Sequence, residues 1–257
     1  MNKGLIGIKF YVGRYIYLQQ MLDRLPNVRF GGRGDSEVLT VYEPDEKTGT
    51  IKRRRYSRLS PQWPELYELA KKRRHYKDQL DRLLAFWKED RGGCLPKIAS
   101  GYHIVGKTHH FNSSFWNTLK SNDSDAPNYF PVYYKGFIMR SQFEADVAKL
   151  LDCLGLDYKY EVSLWTASDK VIYPDMAVDF PEYDECGFVE ALGGLSNLKY
   201  ASHNMWKLKE YINLGLYPNR EIALVTSDKD SATSREMIIC MLGVMLTSIA
   251  EEHVMEL

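Results

Sequence analysis

The chain has 257 residues, of which 44% are hydrophobic and 26% are charged. These proportions are ordinary for a globular protein and exclude a disordered chain. No apolar run reaches the roughly 18 residues of a membrane span, and the start of the chain lacks the pattern of a secretory signal, so we expect a cytoplasmic protein. Its four cysteines have no paired metal-ligand spacing and are expected to be reduced thiols.

The formal net charge of zero hides an uneven distribution. Residues 1–130 contain 23 Lys and Arg against 14 Asp and Glu, whereas residues 131–257 contain 11 against 20. We expect the basic part to approach phosphates and the acidic part to suit a metal site. The alternative is that the basic surface is only solvated, or pairs with the acidic half within the chain or in a dimer.

Residues 1–91 are predicted to form a basic α+β domain. A helix is expected over residues 15–25, and a strand over residues 38–42 is followed by a turn-rich stretch and a basic return strand. A long helix over residues 64–88 comes next. Seven residues of the return strand and the long helix are candidates for binding nucleic-acid phosphates without reading sequence: Arg53, Arg54, Arg55, Lys71, Lys72, Arg73 and Arg74.

Residues 92–134 are predicted to be a connector, because glycines interrupt the preceding helix and residues 122–128 are rich in turn formers. Three histidines, His103, His109 and His110, suggest a metal site. Adjacent histidines point apart on most backbones, however, and no cysteine lies at zinc-finger spacing. We therefore expect no metal site in this stretch, and expect its aromatic residues to anchor it to the core.

Residues 135–257 are predicted to form an α/β domain with a mixed sheet flanked by helices. Ser141 followed by Glu144 is a capping box that begins an amphipathic helix ending near Gly155. Hydrophobic periodicity and turn residues then predict the remaining elements. These are strands at 158–164, 176–180 and 187–192, a helix at 199–214, a strand at 221–226 and a helix at 231–251.

Three acidic residues in this part have positions that suit metal chemistry. Asp175 follows Pro174 at the start of a strand, Glu190 lies in an apolar run, and Glu144 is in the first turn of a helix. A carboxylate in an apolar run needs a partner or a metal ion. Turn chemistry explains Asp175, and capping explains Glu144, without any metal. Together, the three carboxylates match what divalent ions need when they hold the attacking water and the departing oxygen of a phosphodiester.

This order of elements, with an Asp after Pro on one strand and a Glu on the next, resembles the catalytic core of the PD-(D/E)XK nuclease superfamily over roughly residues 139–230. The resemblance implies a restriction-endonuclease-like core of helix, three strands, helix and strand. It further implies that Asp175 and Glu190 bind Mg²⁺ or Mn²⁺ with the carbonyl of Ala191, and that Glu144 contributes directly or through water.

The family's Lys, two residues after the second acid, is Leu192 in this chain. An amine can instead arrive from the next helix, where Tyr200, Lys207 and Tyr211 recur on one face. Lys209 points about 200° away from Lys207. The arrangement resembles a subset of the superfamily in which the Lys has moved to this helix, and we predict that Lys207 positions the nucleophile.

The sequence thus predicts a magnesium-dependent endonuclease with DNA as its expected substrate, acting as a homodimer or within a larger defence, transposition or recombination assembly. The alternative is a catalytically inactive module that keeps the fold and binds nucleic acid or a protein partner. Leu192 favours the alternative, and the presence of all three acids opposes it.

Overall fold

A computed structural model describes residues 4–31, 38–45, 48–121, 131–166, 168–227 and 233–257. Within these ranges the protein is mixed α/β, with seven helices and five sheets. The helices are α1 (Ile8–Arg24), α2 (Trp63–Asp90), α3 (Leu95–Ala99), α4 (Ser113–Thr118), α5 (Gln142–Cys153), α6 (Leu198–Asn213) and α7 (Arg235–His253). None of the described helices combines the length and the hydropathy needed to cross a bilayer.

The strands form one four-stranded sheet, one three-stranded sheet and three two-stranded sheets. They are β1 (Asn27–Gly31), β2 (Val38–Pro44), β3 (Ile51–Ser57), β4 (Tyr102–Ile104), β5 (Val132–Tyr134), β6 (Phe137–Met139), β7 (Asp157–Tyr160), β8 (Leu164–Trp165), β9 (Val171–Ile172), β10 (Met176–Phe180), β11 (Glu185–Gly193), β12 (Ile222–Ser227) and β13 (Val254–Glu256).

The four-stranded sheet is mixed, with the order β12-β11-β10-β7. Strand β10 runs antiparallel to β7 and β11, whereas β11 and β12 are parallel. Strand β11 is buried on both faces, because its side chains alternate between two hydrophobic clusters. Val189 packs in the cluster that contains α1, α5 and α7, and Phe188 packs in the cluster that contains Tyr211 of α6.

Most of the elements predicted for residues 135–257 are confirmed. Helix α5 begins after Ser141, whose side chain accepts a hydrogen bond from the Glu144 amide, and the chain turns at Gly155 with a φ of +69°. Strand β10 has the predicted bounds, and β11, α6 and β12 lie within a few residues of theirs. The final helix begins at Arg235, and residues 228–232 lie outside the described part of the chain.

Two predicted elements differ from the structure. The strand expected over 158–164 ends at Tyr160, because Glu161 takes a φ of +46° that no strand residue adopts. Its predicted last residue, Leu164, instead pairs with Ile172 in the β8–β9 hairpin. Helix α1 begins at Ile8, seven residues before its predicted start. Buried Phe10 and Tyr11 show that tertiary packing extends this helix.

The stretch predicted as a connector contains regular structure of its own. Strand β4 pairs with β13 at the end of α7, with Ile104 opposite Val254. Helix α4 packs on the main sheet, and the indole of Trp116 donates a hydrogen bond to the carbonyl of Ala177 in β10. Residues 122–128 lie outside the described residues. The described part of this stretch therefore covers one face of the main sheet through α4, and it also connects the two halves of the chain.

One hydrophobic cluster crosses the boundary predicted near residue 91. It includes Leu18 of α1, Leu83 of α2, Leu151 of α5 and Leu246 of α7. The sheet β1–β2–β3 has a separate small cluster against the first turns of α2. The basic hairpin is thus attached to α2, while the rest of the N-terminal part shares the core of the main sheet.

A buried ion pair joins the two parts of the chain. The Arg14 Nη1 atom of α1 lies 2.7 Å from Glu182 Oε2, and Nη2 donates to the carbonyl of Gly155 at 2.5 Å. The two side chains are 1% and 0% exposed. A charge buried so completely needs its partner, because removing either one leaves the other without water or counter-charge.

We expect Arg14→Met to lower the free energy of unfolding by about 3–5 kcal/mol, because Glu182 would stay buried without a counter-charge. The double variant Arg14→Met, Glu182→Leu should regain part of that loss. Lys9→Met, which breaks the more exposed pair with Glu251, should cost less than about 1 kcal/mol. Urea unfolding followed by circular dichroism measures all three; a single variant no worse than Lys9→Met would contradict the assignment.

Candidate active site

The sheet register brings the two central acids together. Met176 pairs with Val189 in the antiparallel pair β10–β11, so Asp175 and Glu190, one residue further along, lie opposite each other. Residues in opposite positions project from the same face, with β-carbons about 4.5–5.5 Å apart. The amide of Ala191 donates a hydrogen bond to Asp175 Oδ2 at 2.6 Å. Both acids therefore face one site, with the Ala191 main chain beside them.

Helix α6 supplies an amine and a phenol to Glu190. The Lys207 Nζ atom lies 2.5 Å from Glu190 Oε1, and the Tyr211 hydroxyl donates to Oε2 at 2.6 Å. The Glu190 side chain is 5% exposed and that of Lys207 is 15% exposed. Lys209 is exposed to solvent, away from Glu190. The structure thus places an amine at the glutamate even though the strand residue two positions later is a leucine.

Glu144 lies at the start of α5 with both carboxylate oxygens engaged. Ser141 Oγ donates to Oε1 at 2.9 Å, and the Tyr160 hydroxyl and the Arg140 amide donate to Oε2 at 2.6 and 3.1 Å. The ligand oxygens of Glu144, Asp175 and Glu190 do not all lie within 4.8 Å of one another. Glu144 is therefore held by Ser141, Arg140 and Tyr160, and it does not form a compact three-carboxylate cluster with the central pair.

The sequence analysis missed Glu161, a fourth acid of this site. The Glu161 amide donates to the carbonyl of Asp175 at 2.8 Å, so Glu161, just after β7, and Asp175, just before β10, extend a row of acids that leads to Glu190 in β11. Its side chain is 8% exposed and lies 2.6 Å from Nε of Arg140. Only the pairing of strands shows this row, because nothing in the sequence near Glu161 specifies which residue lies opposite it.

The site has an excess of negative charge. Burial raises the pKa of Asp175 well above its usual range, Glu190 and Glu144 raise it further, and the Lys207 ammonium and the Ala191 amide oppose the shift. The pKa of Glu161 is also raised, chiefly by burial, although Arg140 opposes this. Carboxylate oxygens are the donors that a hard divalent cation prefers, and such an ion would relieve the repulsion between the acids; among the described residues, no three of these carboxylates bring oxygens within 4.8 Å of one another.

A cavity of about 250 Å³ opens beside Glu190, and Lys207 and Tyr211 also line it. Leu192 lines it together with Lys207, so the strand position two residues after Glu190 faces the same space as the helix amine. Asn204 also lines it, and its side chain interacts with Tyr200 of the same helix.

The basic strand β3 lies at the edge of its sheet, and its cations are exposed. Arg53 lies over the Tyr42 ring at 5.7 Å, and Arg54 lies 3.5 Å from Glu43. Arg55 is exposed as well. These side chains can reach a phosphate backbone, since surface pairs of this kind hold each other weakly.

The four basic residues of α2 are not equivalent. Lys71 and Arg74 are exposed and pair loosely with acids of their own helix, and Lys72 is also exposed. Arg73 instead donates through Nη1 to the carbonyls of Leu22 and Leu25, at 2.6 and 3.0 Å. Arg73 therefore caps the end of α1, and its contacts are explained by the fold.

The basic cluster of α2 lies near the end of the sheet away from the acidic row. Gln79 Nε2 donates to Asp157 Oδ2 at 2.9 Å, and His75 Nε2 lies 3.1 Å from the same oxygen. Asp157 begins β7, whereas Glu161 follows its last residue, about 13 Å further along the strand. A nucleic acid that contacts both regions has to extend along the length of the sheet.

Comparisons with known proteins find nothing similar to this chain: no family model, no curated protein and no solved structure matches it. The family resemblance drawn from the sequence therefore stays a prediction. What the site can do rests on its own side chains, their contacts and their charges.

The raised pKa of Asp175 makes its contribution to stability depend on pH. An acid whose folded-state pKa is raised stabilises the fold fully only below its unfolded pKa of about 3.9, and this contribution is lost as pH rises through the folded value. We expect Asp175→Asn, which keeps an acceptor for the Ala191 amide, to melt at a higher temperature than the wild type at pH 8. The difference should shrink as the pH falls towards 4.

Asp146→Asn, at an exposed position of α5, is the matched control and should show no such trend. Thermal melts at several pH values check both variants. A lower melting temperature for Asp175→Asn at every pH would mean that the Ala191 hydrogen bond outweighs the repulsion between the acids.

Proposed function

We propose that this protein is a metal-dependent nuclease of restriction-endonuclease-like fold that hydrolyses nucleic-acid phosphodiester bonds, with DNA as its expected substrate. The observation that supports it best is the contact of the Lys207 ammonium with Glu190, directly across the sheet from Asp175. Two carboxylates and an amine thus meet on one face; the carboxylates can hold a divalent ion that activates water, and the amine can orient that water or contact the phosphate.

An Mg²⁺ or Mn²⁺ ion held by Asp175, Glu190 and the carbonyl of Ala191 would polarise the phosphate and lower the pKa of the attacking water. Glu144 would contribute directly or through water, as the family resemblance implies. Tyr211 holds one oxygen of Glu190, which fixes the plane of that carboxylate. Asp175, Glu190, Glu144 and the Ala191 carbonyl would all supply oxygen atoms, which are the ligands that Mg²⁺ prefers.

Lys207 has two roles in this proposal. Its ammonium neutralises part of the negative charge of the acidic row, which would otherwise repel a phosphate. An ammonium has three N–H donors, and one of them points to Glu190 Oε1. The others are available to orient the nucleophile or to contact the phosphate, in the cavity that Asn204 also lines.

Substrate binding in this proposal relies on the exposed cations of β3 and α2. Arg53, Arg54 and Arg55 lie on an edge strand, and Lys71 and Lys72 lie on the exposed face of a helix. Contacts of this kind fix the position of a nucleic-acid backbone and carry no sequence information. The proposal therefore expects binding that depends strongly on salt and weakly on sequence.

One observation favours the second candidate, a non-catalytic module that binds nucleic acid or a protein. The Glu190 carboxylate is already satisfied by Lys207 and Tyr211 without any ion. A complete buried network of this kind can serve the fold alone. Cleavage assays on the variants below separate the two candidates.

Lys207→Ala should lower turnover by about 10²-fold or more while leaving nucleic-acid affinity within a few-fold, because the amine acts on the reacting groups. Lys209→Ala, on the solvent side of the same helix, should have little effect. The measurement is cleavage of supercoiled plasmid, single-stranded DNA and RNA with Mg²⁺ or Mn²⁺. Equal tolerance of both changes in a protein that cuts would exclude the assigned role of Lys207.

A second variant tests whether the strand position can replace the helix position. In Leu192→Lys, Lys207→Ala the new amine would enter the cavity that Leu192 lines beside Glu190. We expect partial recovery of the activity lost in Lys207→Ala. Absence of cleavage by every version with every substrate and ion would favour the non-catalytic module.

Replacing Arg53, Arg54 and Arg55 together by Gln should weaken DNA binding similarly for all sequences. The slope of log affinity against log salt should fall by about two to three, because each phosphate contact releases close to one counterion. Fluorescence anisotropy with labelled duplexes over a range of salt concentrations measures this slope.

The control replaces three exposed lysines outside the basic clusters, Lys88, Lys97 and Lys149, by Gln. It removes the same number of charges and should change the slope by less than one. Equal changes in the two triple variants would show that net charge alone, and not the β3 edge, determines binding.

A further inference from the structure

Three metal-ligating side chains converge at the end of β11 opposite to Glu190. They are His109 from the segment before α4, Glu185 at the start of β11, and His253 at the end of α7. Glu185 and His253 are buried at 2% and 0% exposure. The three residues are far apart in sequence, so no spacing motif marks them. His110, adjacent to His109, is exposed and takes no part.

The donor atoms of these residues are spaced like the ligands of a tetrahedral ion. His109 Nε2 and His253 Nε2 lie 3.1 Å apart, His253 Nε2 and Glu185 Oε2 lie 3.2 Å apart, and His109 Nε2 and Glu185 Oε2 lie 3.6 Å apart. A zinc ion about 2.0–2.1 Å from each of its ligands separates them by about 3.3 Å. One ion can therefore contact all three donors without rearrangement of the cluster.

Neighbouring groups orient these donors. His253 Nδ1 lies 3.0 Å from the carbonyl oxygen of Val105. Because a carbonyl only accepts, Nδ1 must carry a hydrogen, and Nε2 is the nitrogen that faces the cluster. Arg220 pairs with Glu185 Oε1, which leaves Oε2 for the two imidazoles. Metal-binding histidines and carboxylates in proteins are held by outer partners of this kind.

Without an ion, two imidazole nitrogens and one carboxylate oxygen face one another at the centre of the cluster, 3.1 to 3.6 Å apart. If both histidines are neutral, a single proton on His109 Nε2 has to serve His253 Nε2 and Glu185 Oε2 together. A divalent cation satisfies all three lone pairs at once. Imidazole nitrogen and carboxylate oxygen are ligands that zinc accepts, whereas magnesium prefers oxygen alone.

We propose that His109, Glu185 and His253 form a zinc site, separate from the candidate active site. The His109 side chain is 19% exposed, so an ion can enter from solvent and water can complete a tetrahedral shell. The site fastens the segment around residues 105–111 and the end of α7 to the central strand. By joining three parts of the chain at a buried position, the bound ion would stabilise the fold, while the position held by water stays open to exchange.

The test uses the full chain, stripped of metal with a chelator and titrated with zinc. We expect one zinc per chain, measured by mass spectrometry after gel filtration, and a rise in melting temperature on adding zinc. His109→Ala should weaken binding by more than the roughly 10–100-fold typical of losing an outer partner, since it removes a ligand. His110→Ala is the matched control and should bind zinc like the wild type.

Two further measurements identify the site. Asp175→Asn should keep its zinc, because that residue belongs to the other end of the sheet. X-ray absorption should show two imidazole nitrogens in the zinc shell at about 2.0–2.1 Å. Circular dichroism of metal-free His109→Ala checks that the variant folds. Absence of zinc binding by the wild type, or equal binding by His109→Ala, would overturn the proposal and leave the cluster as a hydrogen-bonded network.

Discussion

The burial of two carboxylates in one central strand constrains much of this structure. Strand β11 is covered on both faces, yet it carries Glu185 at one end and Glu190 near the other. A buried carboxylate costs several kcal/mol unless cations or hydrogen-bond donors surround it. Lys207 and Tyr211 bind the Glu190 carboxylate, whereas Arg220 and two histidines surround the Glu185 carboxylate.

This requirement explains why elements far apart in sequence meet at the sheet. Helix α6 is held over one face because its polar residues reach Glu190 while Tyr211 joins the hydrophobic cluster behind it. At the other end, the segment that carries His109 and the last turn of α7 are brought together at Glu185. Within the stretch between the basic and acidic parts of the chain, the described residues 92–121 contribute His109 to this cluster.

The two ends of β11 differ in their donor chemistry. Glu185 and Glu190 are five residues apart, so they project from opposite faces and lie about 17 Å apart along the strand. The end with Asp175 and Glu161 offers carboxylate oxygens but no imidazole among the contacts described above, which suits a hard ion, and the Lys207 ammonium there suits a phosphate. The end with His109 and Glu185 offers nitrogen and oxygen at tetrahedral spacing, which suits zinc. One strand can thus present two sites of different selectivity.

Local chemistry was readable from the sequence, because it depends on neighbours within a few residues. The Ser141 cap, the strand after Asp175 and the helical face of Lys207 all follow from propensity and period. Glu161 and the cluster at Glu185 were missed, because the register of strand pairing and contacts over more than sixty residues have no local signature. Only the tertiary structure decides which buried charges meet, since the energy of burying them depends on what the rest of the chain places beside them.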